Sequence, residues 1–419
     1  MQAATPWGER RASRYTPGYL ASRLSRDVTD SRTIVLLIAL SAATFAVTSS
    51  GSATAPFMQD ISRDLATDLP AVAHLFSVQA LAWGAASLVM GILSDRLGRR
   101  AFLVGGILLI GTTRLGFSAS PTYSAALMWQ IASGIGGGAF MGTVFATVSE
   151  HVPAGTRGRA LSWVIMGQSL SLVLGVPLVT LLGTLGGWRG ALAAHAALTL
   201  LLAGAVRLAT PPDPARHPDA HRSRPPLSKL AQPRLVCLLG AGSTERICFA
   251  SLAIYLPVYL QRSYGVGLAG LALALALVAI GNLTGNLIGG RVADRTRSRA
   301  RVVAITSTLA GALALPTLFW QPGLAASVGL GFGFSFMNAA SRPSLLALLS
   351  EVPSELRGAL FGLNVTMNSV GWLLAGSLGA ALLASAGFGA LGIFCSTGAL
   401  LGAALATAGG RPRLSARPA

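Results

Sequence analysis

The residues Gly91-Ile92-Leu93-Ser94-Asp95-Arg96-Leu97-Gly98-Arg99-Arg100 place one acidic and three basic side chains between two apolar stretches, 70–92 and 101–119. Each stretch has about the 20 apolar residues that a helix needs to cross a bilayer. Gly91 allows two helices to approach closely, Asp95 can accept hydrogen bonds from backbone N–H groups at a neighbouring helix start, and Arg96 can pair with a carboxylate. These ten residues therefore form a charged loop at a membrane surface.

The composition of the whole chain agrees with a membrane protein. Of its 419 residues, 52% are hydrophobic and only 11% are charged, against roughly a quarter charged in soluble domains. This balance argues against a soluble enzyme, because too few charged residues remain to cover its surface. It also excludes a disordered chain, and three cysteines exclude a disulfide scaffold.

Twelve apolar stretches are long enough to be membrane spans. They cover residues 33–57, 70–92, 101–119, 122–148, 160–182, 190–209, 235–259, 266–290, 301–320, 323–349, 359–385 and 387–409. The first also fits a secretory signal peptide that ends at the small residues 52–55, but the helix count requires it as a span.

A polar, proline-rich segment separates the first six spans from the last six. We therefore predict an all-α membrane protein with twelve transmembrane helices in two six-helix bundles. The predicted parts are a cytoplasmic tail (1–32), an N-terminal bundle (33–209), a cytoplasmic linker (210–234), a C-terminal bundle (235–409) and a second cytoplasmic tail (410–419).

The net charge of +18 reports topology and does not indicate nucleic-acid binding. Of the 32 basic residues, 31 are Arg, and 26 fall in the tails, the linker and alternate loops. The opposite loops carry only Arg63, Arg189 and Arg262. The positive-inside rule therefore predicts that both termini are cytoplasmic, as in a multi-pass protein of a bacterial inner membrane.

Two motifs recur at one period. Gly91-(x3)-Asp95-Arg96 returns as Gly290-(x3)-Asp294-Arg295, and Ser149-Glu150 with Arg157-Gly158 returns as Ser350-Glu351 with Arg357-Gly358, 199 to 201 residues later. Each motif follows the second or fourth span of its half. The repeat predicts that the two bundles are pseudo-symmetric.

The loop at residues 91–100 resembles the signature loop between the second and third helices of the major facilitator superfamily, and the resemblance covers about residues 33–409. It implies a cytoplasmic gate in which Asp95 docks near Gly358, Arg96 pairs with Glu150, and Asp294 and Arg295 do the same with the fifth span and Glu351. The alternative is that these charges only fix topology. The second copy departs from the pattern, with Arg297 and Arg299 in place of the glycine-containing turn. The implied gate residues are Gly91, Asp95, Arg96, Gly98, Arg99, Arg100, Glu150, Arg157, Asp294, Arg295, Glu351 and Arg357.

The fifth span resembles the glycine–proline motif of the drug:proton antiporter branch of this family, through Gly167, Gly175, Pro177 and Gly183. Close packing of small residues would give a similar pattern. Two features depart from that branch: Gln130 stands where an Arg is usual, and the first span contains no acid.

Few ionisable residues lie within the spans. Charges inside a membrane usually face a cavity or a partner, so we expect Glu245 and Arg342 to form a buried pair in which Glu245 carries the transported proton. The alternative is a fixed structural pair of Glu245 with Arg246 or Arg342. Arg114 is expected to snorkel towards the outer interface.

Polar and aromatic residues in the spans are candidate cavity residues or, alternatively, hydrogen-bonded contacts between helices. Asn282 and Asn286 share one helix face, as do Asn364 and Asn368. The remaining candidates are Phe45, Gln79, Trp83, Gln130, Gln168, Asn338 and Trp372.

No cluster of metal ligands and no phosphate-binding loop is present in the sequence. We therefore expect a chain without cofactor or ATP, monomeric in the lipid bilayer and driven by an ion gradient, most simply of protons.

The resemblance favours proton-coupled efflux of small hydrophobic or amphiphilic compounds such as drugs. The alternatives are efflux of a sugar, nucleoside or other metabolite, uptake by symport, and a non-transporting receptor on a transporter scaffold.

Overall fold

The structure is a computed structural model that describes residues 31–152, 156–212, 232–351 and 354–410. The described chain is α-helical, as predicted, and contains no β-strand. In the first half the helices are α1 (Ser31–Ser52), α2 (Met58–Asp64), α3 (Leu69–Leu97), α4 (Arg99–Ser118), α5 (Tyr123–His151), α6 (Arg157–Leu170) and α7 (Val176–Ala209). In the second half they are α8 (Pro233–Tyr264), α9 (Leu268–Arg295), α10 (Arg299–Phe319), α11 (Leu324–Ser350) and α12 (Ser354–Gly409).

Ten helical segments of the described chain are long and apolar enough to cross a membrane. Two of them, Arg159–Ala209 and Leu363–Gly409, have 51 and 47 residues, about twice the length that one crossing needs. Each is interrupted by a glycine at positive φ, Gly187 (φ 61°) and Gly387 (φ 72°). L-residues rarely adopt this backbone conformation, so each glycine marks a break in the helix. Dividing the two segments at these glycines gives lengths that fit the twelve predicted crossings.

Glycines set how closely the helices pack within each half. A Cβ on Gly138 of α5 would lie 2.5 Å from the carbonyl oxygen of Trp83 on α3. A Cβ on Gly289 of α9 would lie 2.5 Å from the carbonyl oxygen of Ala340 on α11. The two backbones therefore touch in each half, as small residues allow in membrane helices.

The two halves meet mainly along α3 and α12, and along α9 and the segment around α7. Ser77 Oγ donates a hydrogen bond to the carbonyl oxygen of Leu373 (3.0 Å) and accepts one from Ser377 Oγ (2.9 Å). Gln59 Nε2 donates to Gln261 Oε1 over 3.2 Å. These contacts lie in the part of the bundle away from the charged 91–100 loop, and we call that part the outer end.

Candidate transport site

Two adjacent residues of α8, one acidic and one basic, form a buried ion pair. Glu245 is 7% exposed and Arg246 is 6% exposed. Arg246 Nε donates to Glu245 Oε2 over 2.6 Å, and Arg246 Nη2 bonds to Glu245 Oε1. The expected ion pair between Glu245 and Arg342 is therefore wrong, because the adjacent guanidinium holds both carboxylate oxygens in a fork.

Arg342 nevertheless belongs to the same charged cluster. It is half-buried on α11 and lies within electrostatic range of both Arg246 and Glu245. One turn before it, Asn338 Nδ2 donates to the backbone carbonyl of Glu245 over 3.4 Å. The cluster contains two guanidinium groups and one carboxylate, so its net charge is +1 while Glu245 is ionised.

Two aromatic rings pack against this cluster. The guanidinium carbon of Arg246 lies 4.6 Å from the ring centre of Phe249, which packs edge-on against Trp372 at 6.1 Å. A Cβ on Gly371 would lie 2.6 Å from the Cβ of Arg246. Gly371 therefore lets α12 approach α8 closely at the ion pair.

Phe249 also lines a cavity between the two halves. Of the residues that line it, Ser52, Asn282 and Ser335 have polar side chains, and Asn282 Oδ1 accepts from Asn286 Nδ2 over 3.2 Å. The apolar residues of its wall are Ala55, Leu172 and Val176 from the first half and Phe249, Leu252, Ala253, Leu256, Pro257, Leu275, Val278 and Ala279 from the second. This surface suits a ligand that is mostly hydrophobic.

The other candidate cavity residues do not line this cavity. Gln79 Nε2 donates to Ser133 Oγ over 3.1 Å inside the first half. Both amide atoms of the buried Gln130 lack a hydrogen-bond partner among the described residues. The positions not on the wall of the cavity between the halves are Phe45, Gln79, Trp83, Gln130, Gln168, Asn286, Asn338, Asn364, Asn368 and Trp372.

At the charged end of the first half, one guanidinium binds two carboxylates. Arg99 Nε lies 2.7 Å from Glu150 Oε2, and Arg99 Nη2 lies 2.7 Å from Asp95 Oδ1. The predicted pair of Arg96 with Glu150 is wrong, and Arg96 is exposed. Arg99 is the first residue of α4 and comes directly after Gly98, whose φ is 103°. The turn at Gly98 directs the side chain of Arg99 back over the end of α3.

The second half repeats this contact. Arg299 Nη1 lies 2.8 Å from Glu351 Oε1, and Arg234 Nη2 lies 3.1 Å from Glu351 Oε2. The predicted partner, Arg295, is exposed. Arg99 and Arg299 are 200 residues apart, the period of the repeat, and each begins its helix. Arg299, which departs from the glycine-containing pattern, thus supplies the matching ion pair.

Several predicted gate contacts lie outside the residues whose side chains the structure describes. These are the contacts at Arg157, Arg357 and Gly358, and with them the docking of Asp95 against the eleventh span and of Asp294 against the fifth. Asp294 itself is exposed. Arg100 Nη2 donates to the backbone carbonyl of Arg207 over 2.6 Å, which places its charge favourably at the end of α7.

The glycine–proline motif of the fifth span packs against α1 and the turn after it. A Cβ on Gly175 would lie 2.8 Å from the Cβ of Ser49, and Gly167 faces the backbone of Ser41. Gly183 faces the ring of Phe57. A π-helical turn, Ser171–Gly175, ends just before Pro177, and such turns commonly mark functional positions in helices.

Arg114 does not snorkel to the membrane interface. Its side chain is 0% exposed on α4, so the sequence prediction is wrong. Sequence reasoning also missed Phe249, which was an ordinary apolar residue in the pattern. It missed His195 too, whose side chain is buried with 3% of its surface exposed.

The sequence profile of the Major Facilitator Superfamily matches residues 40–376. The chain belongs to this superfamily. It is therefore a multi-pass membrane transporter and not an enzyme, with the helical fold that the sequence predicted.

Curated relatives of this transporter act on different compounds. It is 28% identical over 278 residues to a chloramphenicol resistance protein of Streptomyces lividans, covering 65% of this chain and 70% of that protein. A chloramphenicol efflux pump of Mycobacterium tuberculosis is 25% identical, over 77% of this chain and 79% of the pump. The 4-hydroxybenzoate transporter of Pseudomonas putida is 24% identical, over 75% and 69%.

A solved structure has the same fold. The bacterial homologue of the human lysosomal transporter Spinster, in an inward-facing, unoccupied conformation, superposes with a TM-score of 0.68. The match covers 91% of this chain and 96% of the homologue at 13% identity.

Proposed function

We propose that this transporter exports small hydrophobic or amphiphilic compounds, chloramphenicol among them, in exchange for protons by alternating access. The observation that carries the proposal is the position of Phe249, which lines the apolar cavity and covers the guanidinium of Arg246. Phe249 therefore contacts the buried Glu245–Arg246 pair and would also contact a ligand in the cavity.

Protonation of Glu245 is the proposed coupling step. While Glu245 is ionised, it neutralises Arg246 and leaves the cluster with a charge of +1. A proton on Glu245 removes the fork and leaves the buried Arg246 and the half-buried Arg342 as two positive charges without an anion in the cluster. Buried unpaired charge is costly, so protonation favours a rearrangement of α8 and α11 that admits water or a partner.

Phe249 supplies the proposed link to the substrate. A compound that pushes the ring aside removes the cation–π contact, which is worth about 0.5–2 kcal/mol. The loss of this contact destabilises the arrangement in which Arg246 is held by Glu245. Substrate binding and protonation of Glu245 thus act on the same ion pair, which couples the two events.

The cavity wall favours drugs over sugars and nucleosides. Among the described residues of this wall, only Ser52, Asn282 and Ser335 offer side-chain hydrogen bonds, whereas a sugar needs several to replace its water. The relatives named for chloramphenicol support the same choice.

The remaining parts of the proposal concern topology and energy source. The excess of arginines in alternate loops supports a bacterial inner-membrane topology in which both termini are cytoplasmic, and we infer a monomer that acts without ATP. The ion pairs of Arg99 and Arg299 stabilise the cytoplasmic ends of the two halves, while α3 and α12 close the outer end.

Expression in a bacterial host that lacks its own drug pumps tests the function. We expect the host to tolerate several times more chloramphenicol, and a panel of unrelated hydrophobic drugs would separate a narrow pump from a broad one. Glu245→Gln is expected to abolish the protection. Asp60→Asn, the same chemical change at an acid near the outer surface, serves as the control. Unchanged sensitivity with the wild-type transporter present in the membrane would contradict the proposal.

A further inference from the structure

Four exposed arginines lie at the turn between α9 and α10, and none of them has an ion pair or hydrogen bond within the described chain. We call them the arginine patch: Arg291 and Arg295 of α9, Arg297 in the turn and Arg301 of α10. The acid within this stretch, Asp294, is exposed as well. Four cations and one anion leave this surface with an excess of positive charge that no described residue neutralises.

The first half has no equivalent patch. The repeat period places Arg291 and Arg301 opposite the uncharged Ile92 and Ala101. Among the arginines of the matching 91–100 loop, Arg96 alone is exposed without an ion pair in the described chain. Because both turns lie at the same end of the bundle, a role in setting topology does not explain why the second turn carries the additional charge.

The side of α9 that carries two of these arginines faces the lipid. Its exposed apolar side chains recur at helical spacing: Leu273, Leu277, Ile280 and Leu287. The glycines of α9 lie on another side and pack against the backbone of α11: Gly281, Gly285 and Gly289. Arg291 and Arg295 follow Leu287 by four and eight residues, so they continue the lipid-facing row.

The helix after the turn has a second row of this kind. Its exposed apolar side chains are Ile305, Leu309, Leu315 and Phe319, and Arg301 precedes Ile305 by one helical turn. Both α9 and α10 pack extensively against α11, but they meet each other only near their connecting turn. Two rows of lipid-facing side chains therefore end in arginines at the charged end of the bundle, with Arg297 between them.

We propose that the arginine patch binds the phosphate of an anionic phospholipid, whose acyl chains lie along the apolar rows of α9 and α10. Guanidinium groups form paired, charge-assisted hydrogen bonds with phosphate oxygens. An anionic lipid supplies the negative charge that the patch lacks, whereas phosphatidylcholine balances its phosphate with its own ammonium group. A soluble acidic partner has no hydrocarbon to cover the two rows. The site is separate from the cavity proposed for drug export.

Native mass spectrometry of the purified full-length transporter tests the proposal. Dioleoylphosphatidylglycerol and dioleoylphosphatidylcholine are titrated separately into the detergent-solubilised protein. We expect the anionic lipid to bind at least about tenfold more tightly, since each arginine near an anionic lipid contributes about fivefold in affinity. Raising the ammonium acetate concentration from about 0.1 to about 0.5 M should weaken this binding, because the arginines are exposed and salt screens them.

Paired variants locate the site. Arg291→Gln with Arg301→Gln should lose the preference for phosphatidylglycerol, and it should fold, because neither side chain has an ion pair or hydrogen bond within the described chain. Arg96→Gln with Arg207→Gln is the matched control. It removes two exposed arginines from the charged end of the first half and should keep the wild-type preference.

Other results would overturn the proposal. Equal affinity of the wild type for the two lipids would show that the patch does not select an anion. Equal loss in the two double variants would show a diffuse effect of net charge, and displacement of the lipid by an equal concentration of glycerol 3-phosphate would show a site for a soluble phosphate. Binding by the wild type that does not respond to salt would contradict the proposal even if the variants failed to fold. Drug export is measured separately, so failure here leaves the proposed function standing.

Discussion

A disulfide between positions 77 and 377 should lock the outer end of the transporter. Ser77 on α3 and Ser377 on α12 come from different halves, and their Oγ atoms are 2.9 Å apart. A disulfide joins two sulfur atoms at about 2.05 Å with Cβ atoms roughly 3.5–4.5 Å apart. Two adjacent hydroxyl side chains are therefore close to the required geometry, and Ser77→Cys with Ser377→Cys should oxidise without a large backbone shift.

The expected magnitude follows from alternating access. A molecule whose outer end cannot open completes no cycle, so transport should fall in proportion to the cross-linked fraction. If about 90% of the molecules are cross-linked, about a tenth of the activity should remain. The same bond closes a loop of about 300 residues, which the chain-entropy relation values at about 5–6 kcal/mol against unfolding. Loss of transport should therefore accompany a higher, not a lower, melting temperature.

The assay compares drug transport before oxidation, after oxidation and after reduction. A protease site inserted in the linker 210–234 reports the cross-link, because the cut halves migrate together only when they are bonded. Each single cysteine variant controls for reaction with the native thiols of Cys237, Cys248 and Cys395. Full transport by fully cross-linked protein would refute the reasoning that the outer end must open.

Three further predictions concern the ion pairs and the glycine contacts. Arg99→Ala should lower the melting temperature and the transport rate, since Asp95 and Glu150 each lose an ion pair, whereas Arg96→Ala should change neither. Equal effects of the two variants on transport would contradict the observed pairing. Gly138→Ala should destabilise the protein by about 1–3 kcal/mol through overpacking against the α3 backbone. Gly105→Ala, whose added carbon would have no neighbouring residue within 4 Å in the described chain, should not destabilise it in thermal unfolding. Arg246→Met should cost about 3–5 kcal/mol because the buried carboxylate of Glu245 loses both hydrogen bonds of the fork, and an unchanged melting temperature would contradict this.

The sequence predicted the helices and the pseudo-symmetry well, because both depend on patterns that the bilayer imposes. About 20 apolar residues per crossing and a period of about 200 residues are visible without knowledge of any contact. The breaks at Gly187 and Gly387 follow the same logic, since apolar stretches of 51 and 47 residues cannot be single crossings.

Individual partners could not be predicted from the same patterns. The 91–100 loop has three arginines within a stretch of five residues. The turn at Gly98 determines that Arg99 is the one that reaches Glu150. Glu245 and Arg246 are adjacent on α8, where neighbouring side chains normally point about 100° apart, so only the folded side chains reveal their fork. Arg114 is near a predicted span end, and its burial depends on Thr54, 60 residues earlier.

Drug transport into proteoliposomes with an acidic interior tests the central claim most directly. The wild type should accumulate chloramphenicol against its gradient, and a protonophore should abolish the accumulation. Glu245→Gln should still equilibrate the drug down its own gradient but should not concentrate it, while Asp60→Asn should behave as the wild type. Proton-driven accumulation at the wild-type level in Glu245→Gln would contradict the assignment of Glu245 as the coupling group.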